Sequence, residues 1–245
     1  SRPEWFARAT GEGRFIVSFV EWVRADRPPA AGEDEMARTR IVRTFDSEGR
    51  LVRDSALVVP TARRLIVRDG DVIGDGGPHP FGPWSPITHG GDDRLYVGGT
   101  SVDSVRVDAY TLAGEFSPFF AAPIPPLEVT PGDIEQVLEG AWSFYHDAIR
   151  ETVPERWPAV RDLTTDDRGR IWITLGGSRA DSTRVWVVDP DGSLSFRITL
   201  APGLSIEAVR GDVVYGILHD ELDVPWVESH RVAPVTRAVS VSGDI

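Results

Sequence analysis

Polar and apolar positions along this chain alternate in short runs divided by turns rich in Gly and Asp. One recurring element is a tight polar turn leading into an apolar strand. It stands at Gly11-Glu12-Gly13-Arg14-Phe15-Ile16-Val17, at Gly91-Asp92-Asp93-Arg94-Leu95-Tyr96-Val97 and at Asp166-Asp167-Arg168-Gly169-Arg170-Ile171-Trp172-Ile173. A weaker copy is Arg210-Gly211-Asp212-Val213-Val214-Tyr215. Gly supplies the positive φ that such turns demand, and Asp tolerates the left-handed region better than most residues. A second element follows the first three copies, a hairpin with Gly at a fixed place: Phe45-Asp46-Ser47-Glu48-Gly49, Tyr110-Thr111-Leu112-Ala113-Gly114 and Val188-Asp189-Pro190-Asp191-Gly192. Its flanks have period two, as in Val105, Val107 and Ala109 or Val185 and Val187, which reads as half-buried strand.

The order strand, turn, strand, linker, strand, Gly turn, strand is a four-stranded meander, and it repeats. The units fall at about 5–61, 62–127, 157–202 and 203–234. The expected fold is a single all-β domain of the β-propeller class, with each unit one blade and about four blades present. The last unit shows three clear strands, Leu204–Val209, Val213–Leu218 and Val224–Val232. The tail 235–245 opens on the partly alternating Val235-Thr236-Arg237-Ala238-Val239-Ser240-Val241, which either supplies the outer strand or hangs free.

One segment breaks the period. Thr130 is placed to cap a helix, Pro131 fits its first position and Asp133 suits its positive end. Ile134, Val137, Leu138, Ala141, Trp142 and Tyr145 then follow at spacings of three and four. This predicts one amphipathic helix inserted between the second and third units, about 131–151, ending before Pro154. Trp142 and Tyr145 lie three apart on it, with Phe144 between them. These three aromatics either pack on the sheets or dock a partner, and they are the candidate partner contact.

The residues Pro154-Glu155-Arg156-Trp157-Pro158, the turn and strand from Asp166 to Ile173, Val187-Val188-Asp189-Pro190-Asp191-Gly192 and the close from Gly211 to Val224 carry a resemblance. They resemble the bacterial six-bladed β-propeller proteins related to the NHL and two-component-regulator propellers, well over about 85–245 and more loosely before that. The resemblance implies six blades, a secreted or envelope-associated location and no particular ligand. Four units against six reads as an incomplete six-bladed propeller or as a genuine four-bladed closure. An open array would leave sheet edges and an apolar flank to be covered, which points to a partner protein. The opening Ser1-Arg2-Pro3-Glu4, without Met, is what a processed or trimmed product would show.

Composition narrows the chemistry. With 26 basic and 38 acidic residues the net charge is −12, and the Arg residues are scattered, so nucleic acid is not an expected partner. There is no Lys and no Asn, which leaves Asp and Gly to make the turns. Cys is absent, which excludes disulfides and thiolate chemistry. No apolar run reaches the roughly 18–20 residues of a membrane helix, and no signal peptide begins the chain.

Motifs for catalysis are missing. His79, His89, His146, His219 and His230 form no HExxH or HxH pair. Asp189 as the first ligand of a calcium loop would put Leu200 where a Glu is needed, so Asp166-Asp167 and Asp189-Asp191 read as turn chemistry. Calcium-dependent propeller lactonases use Asn among their channel ligands, and this chain has none. There is no Gly-x-Ser-x-Gly elbow, and Gly74-Asp75-Gly76-Gly77 and Gly176-Gly177-Ser178 lack a phosphate-loop Lys. Trp172 and Trp186 are expected in the core, and the loop Arg27–Glu35 is expected as a solvated excursion or a contact.

The expectation is a non-enzymatic interaction or scaffold propeller that carries no cofactor. It would be an accessory extracytoplasmic subunit, periplasmic or envelope-bound, of a larger membrane-associated bacterial complex. The alternatives are a metal-dependent hydrolase of lactonase type and a binder of small ligands or glycans.

Overall fold

The computed structural model describes residues 6–10, 13–22, 38–60, 64–69, 72–82, 84–91, 93–177, 182–220, 222 and 224–232. The loop 27–35 and the tail 235–245 lie outside these. Strands dominate, and all pair antiparallel with their chain neighbours. The first sheet is β1 (Phe6–Ala9), β2 (Phe15–Trp22), β3 (Arg38–Phe45) and β4 (Leu51–Pro60), in chain order. A separate hairpin follows, β5 (Arg64–Asp69) with β6 (Val72–Pro78). The next sheet holds β7 (Ile87–His89), β8 (Arg94–Gly98), β9 (Ser104–Thr111) and β10 (Phe116–Pro123). The expected unit 62–127 thus holds two sheets. Then come β11 (Val160–Thr165), β12 (Ile171–Leu175), β13 (Ser182–Val188) and β14 (Leu194–Pro202), and a three-stranded sheet of β15 (Ser205–Arg210), β16 (Val213–His219) and β17 (Pro225–Arg231). The segment Gly74–Gly77 is part of β6 rather than a loop.

One turn design joins many of these strands. At Thr10, Asp46, Thr111, Asp166 and Asp189 the backbone N–H reaches the carbonyl four residues on. In each case the N–H of the Gly three residues on returns to the starting carbonyl. Those glycines, at 13, 49, 114, 169 and 192, have φ between +72° and +85°, the conformation that closes a type I turn into a hairpin. The turn from Gly90 to Arg94 makes the same first bond, but Asp93 fills the left-handed place with φ 57°. In a chain without Asn, Asp does the work Asn often does.

Side-chain alternation stacks the sheets. In β8, Leu95 and Val97 pack with Ile16, Val42, Leu57 and Val59 of the first sheet. Tyr96, on the other face, joins Val105, Val107, Ile171 and Ile173 in the largest core cluster. β12 repeats the device: Ile171, Ile173 and Leu175 face that cluster, and Trp172 faces Ile206, Val209 and Val214 of the last sheet. Strands buried on both faces need unbroken apolar runs, which is what Leu95-Tyr96-Val97 and Ile171-Trp172-Ile173 provide. The first strands of neighbouring sheets also touch. Thr165 Oγ1 of β11 donates to the His89 carbonyl at 2.8 Å, and Asp166, just past β11, forms a parallel bridge with Val209 of β15. Both carboxylate oxygens of Asp167 accept the Gly211 N–H at 3.0 Å.

Among the described residues, one face of the last sheet carries exposed apolar side chains. Tyr215 and Ile217 stand opposite Ser229 and Val227 on β17. Val227 is 74% exposed and Tyr215 is also exposed, while Trp226, next to Val227 on β17, is exposed on the opposite face. Among the described residues no strand pairs beyond β17.

Candidate interaction surface

The predicted helix is two short ones with a break. α1 spans Pro131–Gly140 and α2 spans His146–Thr152, joined through a 3-10 turn at Ser143–Tyr145. The start is as expected. Thr130 Oγ1 accepts the Asp133 N–H at 3.3 Å, while Asp133 Oδ2 accepts the Thr130 N–H at 2.8 Å, a reciprocal capping box with Pro131 at the first position. The single-helix expectation fails at Gly140. Ala141 (φ −100°, ψ 147°) and Trp142 (φ −65°, ψ 141°) are extended, and the Ala141 N–H turns back to the Leu138 carbonyl. His146 stabilises the break: its Nε2 lies 3.1 Å from the Ala141 carbonyl, which only accepts, so Nε2 carries the proton.

The break decides where the aromatics go. Leu138 and Ile149 are buried against Phe81, with Ile134, Val137, Ala141 and Tyr145 packed around them. Ile134, Val137, Leu138, Ala141 and Tyr145 are members of the predicted apolar stripe, and with Ile149 they seat the segment. Trp142 was expected in that stripe too. With two extended residues before the 3-10 turn it swings out of phase and is 71% exposed. Phe144 is 52% exposed and Tyr145 is half-buried. The three rings form one cluster. Trp142 and Tyr145 lie nearly parallel, 10° apart with centroids at 6.4 Å, and Phe144 sits 3.9 Å from Tyr145 and 5.6 Å from Trp142. Tyr145 is thus the root, held in the core, and Trp142 and Phe144 are the solvent-facing rings.

A polar chain holds the underside. The Phe81 N–H donates to His79 Nδ1 at 3.2 Å, so Nε2 carries the proton and donates to Thr152 Oγ1 at 2.8 Å. The Thr152 hydroxyl in turn donates to the Ala148 carbonyl. The loop after β6 is thereby tied to the end of α2. Phe81 and Trp157 also meet ring to ring at 4.9 Å. Nothing in the local sequence around Phe81 marked it as an anchor, because it is a lone aromatic among Pro and Gly.

The surface around the aromatics is acidic. Glu135, Glu139, Asp147 and Glu151 are exposed on the two helices, and Arg150 is the only Arg within them. Arg150 reaches Asp147 at 3.9 Å, with the Asp147 side chain 96% exposed. The last turn of α1 carries no basic residue and does carry Glu139.

The other expected candidates are placed as follows. Trp172 and Trp186 are core residues, 1% and 6% exposed. Asp166 and Asp189 make turns, and His219 is exposed beside the Asp220 turn. Among the described residues no three His, Asp or Glu side chains converge as metal ligands would. No helix of the described residues is long and apolar enough to cross a membrane.

No family model matches the chain, and no curated protein matches it. Among solved structures, it is similar to a puromycin-hydrolyzing peptidase of Mycobacterium tuberculosis, with a TM-score of 0.42 and 12% identity over 96% of this chain. The chain spans 28% of that protein's length. A likeness of this degree has no bearing on activity.

Proposed function

We propose that this chain is a non-enzymatic interaction or scaffold protein of the β-propeller type. In this reading it serves as an extracytoplasmic accessory subunit of a larger membrane-associated complex. Successive antiparallel meanders whose first strands lie side by side support the blade reading. The observation that carries the interaction reading is the ring cluster of Trp142, Phe144 and Tyr145. A Trp and a Phe held outward on a segment whose core side is well packed expose apolar surface that folding leaves unused. Aromatic residues of this kind anchor interfaces, because they bury large area with few side-chain torsions to freeze. The exposed apolar side chains of the last sheet, Tyr215 and Val227, give a second place for contact.

The test places a photo-crosslinking amino acid at position 144 in the native cell, and at position 115 as a remote exposed control. A discrete adduct from position 144 that fractionates with membranes is expected. A chain that yields no adduct from position 144 and purifies as a lone monomer would sink the proposal.

A further inference from the structure

We infer that the aromatic cluster docks an Arg-bearing basic segment of its protein partner. The inference rests on the interaction reading above and names the chemistry of the partner. Three observations converge on it. The first is the geometry of Trp142, which presents a ring face to solvent at 71% exposure, braced by Tyr145 almost parallel to it. A guanidinium stacks on such a face through the ring quadrupole and through its own flat, weakly hydrated surface. The same pairing is already used inside the protein, where the Arg197 guanidinium carbon lies 4.4 Å from the Trp186 ring centroid.

The second observation is charge. Four exposed carboxylates, on Glu135, Glu139, Asp147 and Glu151, stand on the two helices that bracket Trp142, against the single Arg150. The chain as a whole carries a net charge of −12, so its long-range field favours the approach of a cationic segment.

The third is the end of α1. The C-terminal end of a helix is its negative pole and favours a cation. In α1 that end has no Arg, and Glu139 sits there instead, three residues before Trp142. The local rule is broken where the unused aromatic surface begins. An Arg supplied by a partner answers all three at once: it covers the ring, neutralises Glu139 and caps the pole of α1.

The test is fluorescence anisotropy of a labelled nona-arginine peptide titrated with the whole chain at moderate salt, beside a nona-glutamate peptide. The arginine peptide should bind and the glutamate peptide should not. Trp142→Ala should weaken binding by roughly three- to thirtyfold. Glu139→Gln with Asp147→Asn should weaken it and flatten its salt dependence. Trp226→Ala, an exposed Trp on β17, should leave it unchanged. Equal losses in Trp142→Ala and Trp226→Ala, or no loss in either, would overturn the inference by showing diffuse attraction to an acidic protein. So would Trp142-dependent binding of a neutral glycan with no binding of the peptide. The adduct from position 144 separates the two levels of the claim. If it forms on a partner segment without Arg or Lys, the basic occupant is wrong and the interaction reading stands. If neither adduct nor peptide binding is found, both fall.

Discussion

The buried carboxylate of Asp166 accepts the indole N–H of Trp172 at 2.9 Å, six residues further on and across the hairpin turn. The same oxygen accepts the Arg170 Nε–H at 2.6 Å, and the other accepts the backbone N–H groups of Arg168 and Arg170 at 2.9 Å. The Asp166 side chain is fully buried and that of Arg170 is 13% exposed. Arg170 in turn lies over Trp172 and Phe196, at 5.7 and 5.6 Å from their centroids. This turn therefore fixes the sheet-to-sheet contact, because Trp172 is the largest side chain facing the last sheet.

Asp46 offers a matched control inside the same molecule. It makes the same turn, accepting Glu48 and Arg50 N–H groups and the Arg50 Nε–H at 2.9 Å, but its Arg50 is 71% exposed and no Trp joins it. Asp166→Ala should cost about 3 kcal/mol, because it strands a buried guanidinium and a buried indole N–H. Asp46→Ala should fall within the range of an ordinary surface substitution. Urea midpoints of the two variants check this, and equal losses would show that the burial of Asp166 contributes nothing.

Asp46 also carries a pH signature. The Arg50 side chain, then its N–H, holds the carboxyl below the usual carboxylate range. The folded chain therefore binds fewer protons here than the unfolded one in the acid range, and stability rises with pH across it. The contribution is fully present above the unfolded value and is lost as pH falls through the lowered folded value. Asp46→Asn should shallow the acid limb of a stability–pH curve measured by urea unfolding, so that the variant is the less stable at neutral pH and the two curves converge in acid. An acid limb of the same slope in both proteins would contradict it.

The turns were the most legible part of the sequence, because Gly and Asp at fixed offsets dictate backbone conformation locally. Leu95-Tyr96-Val97 and Ile171-Trp172-Ile173 were legible as strands for the same reason. What could not be read was decided at a distance. Asp166 was visible as a turn residue, but its bond to Trp172 needs the register of a hairpin. Phe81 is held by a helix more than 50 residues away in sequence. The break at Gly140 was hidden because the stripe from Ile134 to Tyr145 keeps helical spacing through it. Packing of Leu138 and Ile149 on Phe81, with His146 on the Ala141 carbonyl, favours two short helices over one.

Two turn glycines with nearly equal backbones separate conformational cost from crowding. Gly49 has φ +79° and open space where a Cβ would stand. Gly192 has φ +84°, and a Cβ there would meet the Phe119 carbonyl oxygen at 2.5 Å. Gly49→Ala should cost about 1 kcal/mol, the left-handed penalty alone. Gly192→Ala should cost at least about 2 kcal/mol, since β10 must also shift. Thermal unfolding of the pair gives the difference. Equal costs would mean that β10 gives way freely at Phe119.

The helical segment predicts a sharp asymmetry between neighbours in one aromatic-rich region. Phe81 is 1% exposed and joins Leu138 and Ile149 at the seat of both helices. Phe81→Ala removes a ring from a packed cluster, with an expected loss of about 3–5 kcal/mol. Trp142 is a larger side chain, but it touches chiefly Phe144 and Tyr145 at the surface. Trp142→Ala should change stability by no more than about 0.5 kcal/mol. Denaturant unfolding reads both variants under one condition. A large loss at Trp142 would show that the ring serves the fold, and would remove the ground for placing a partner on it.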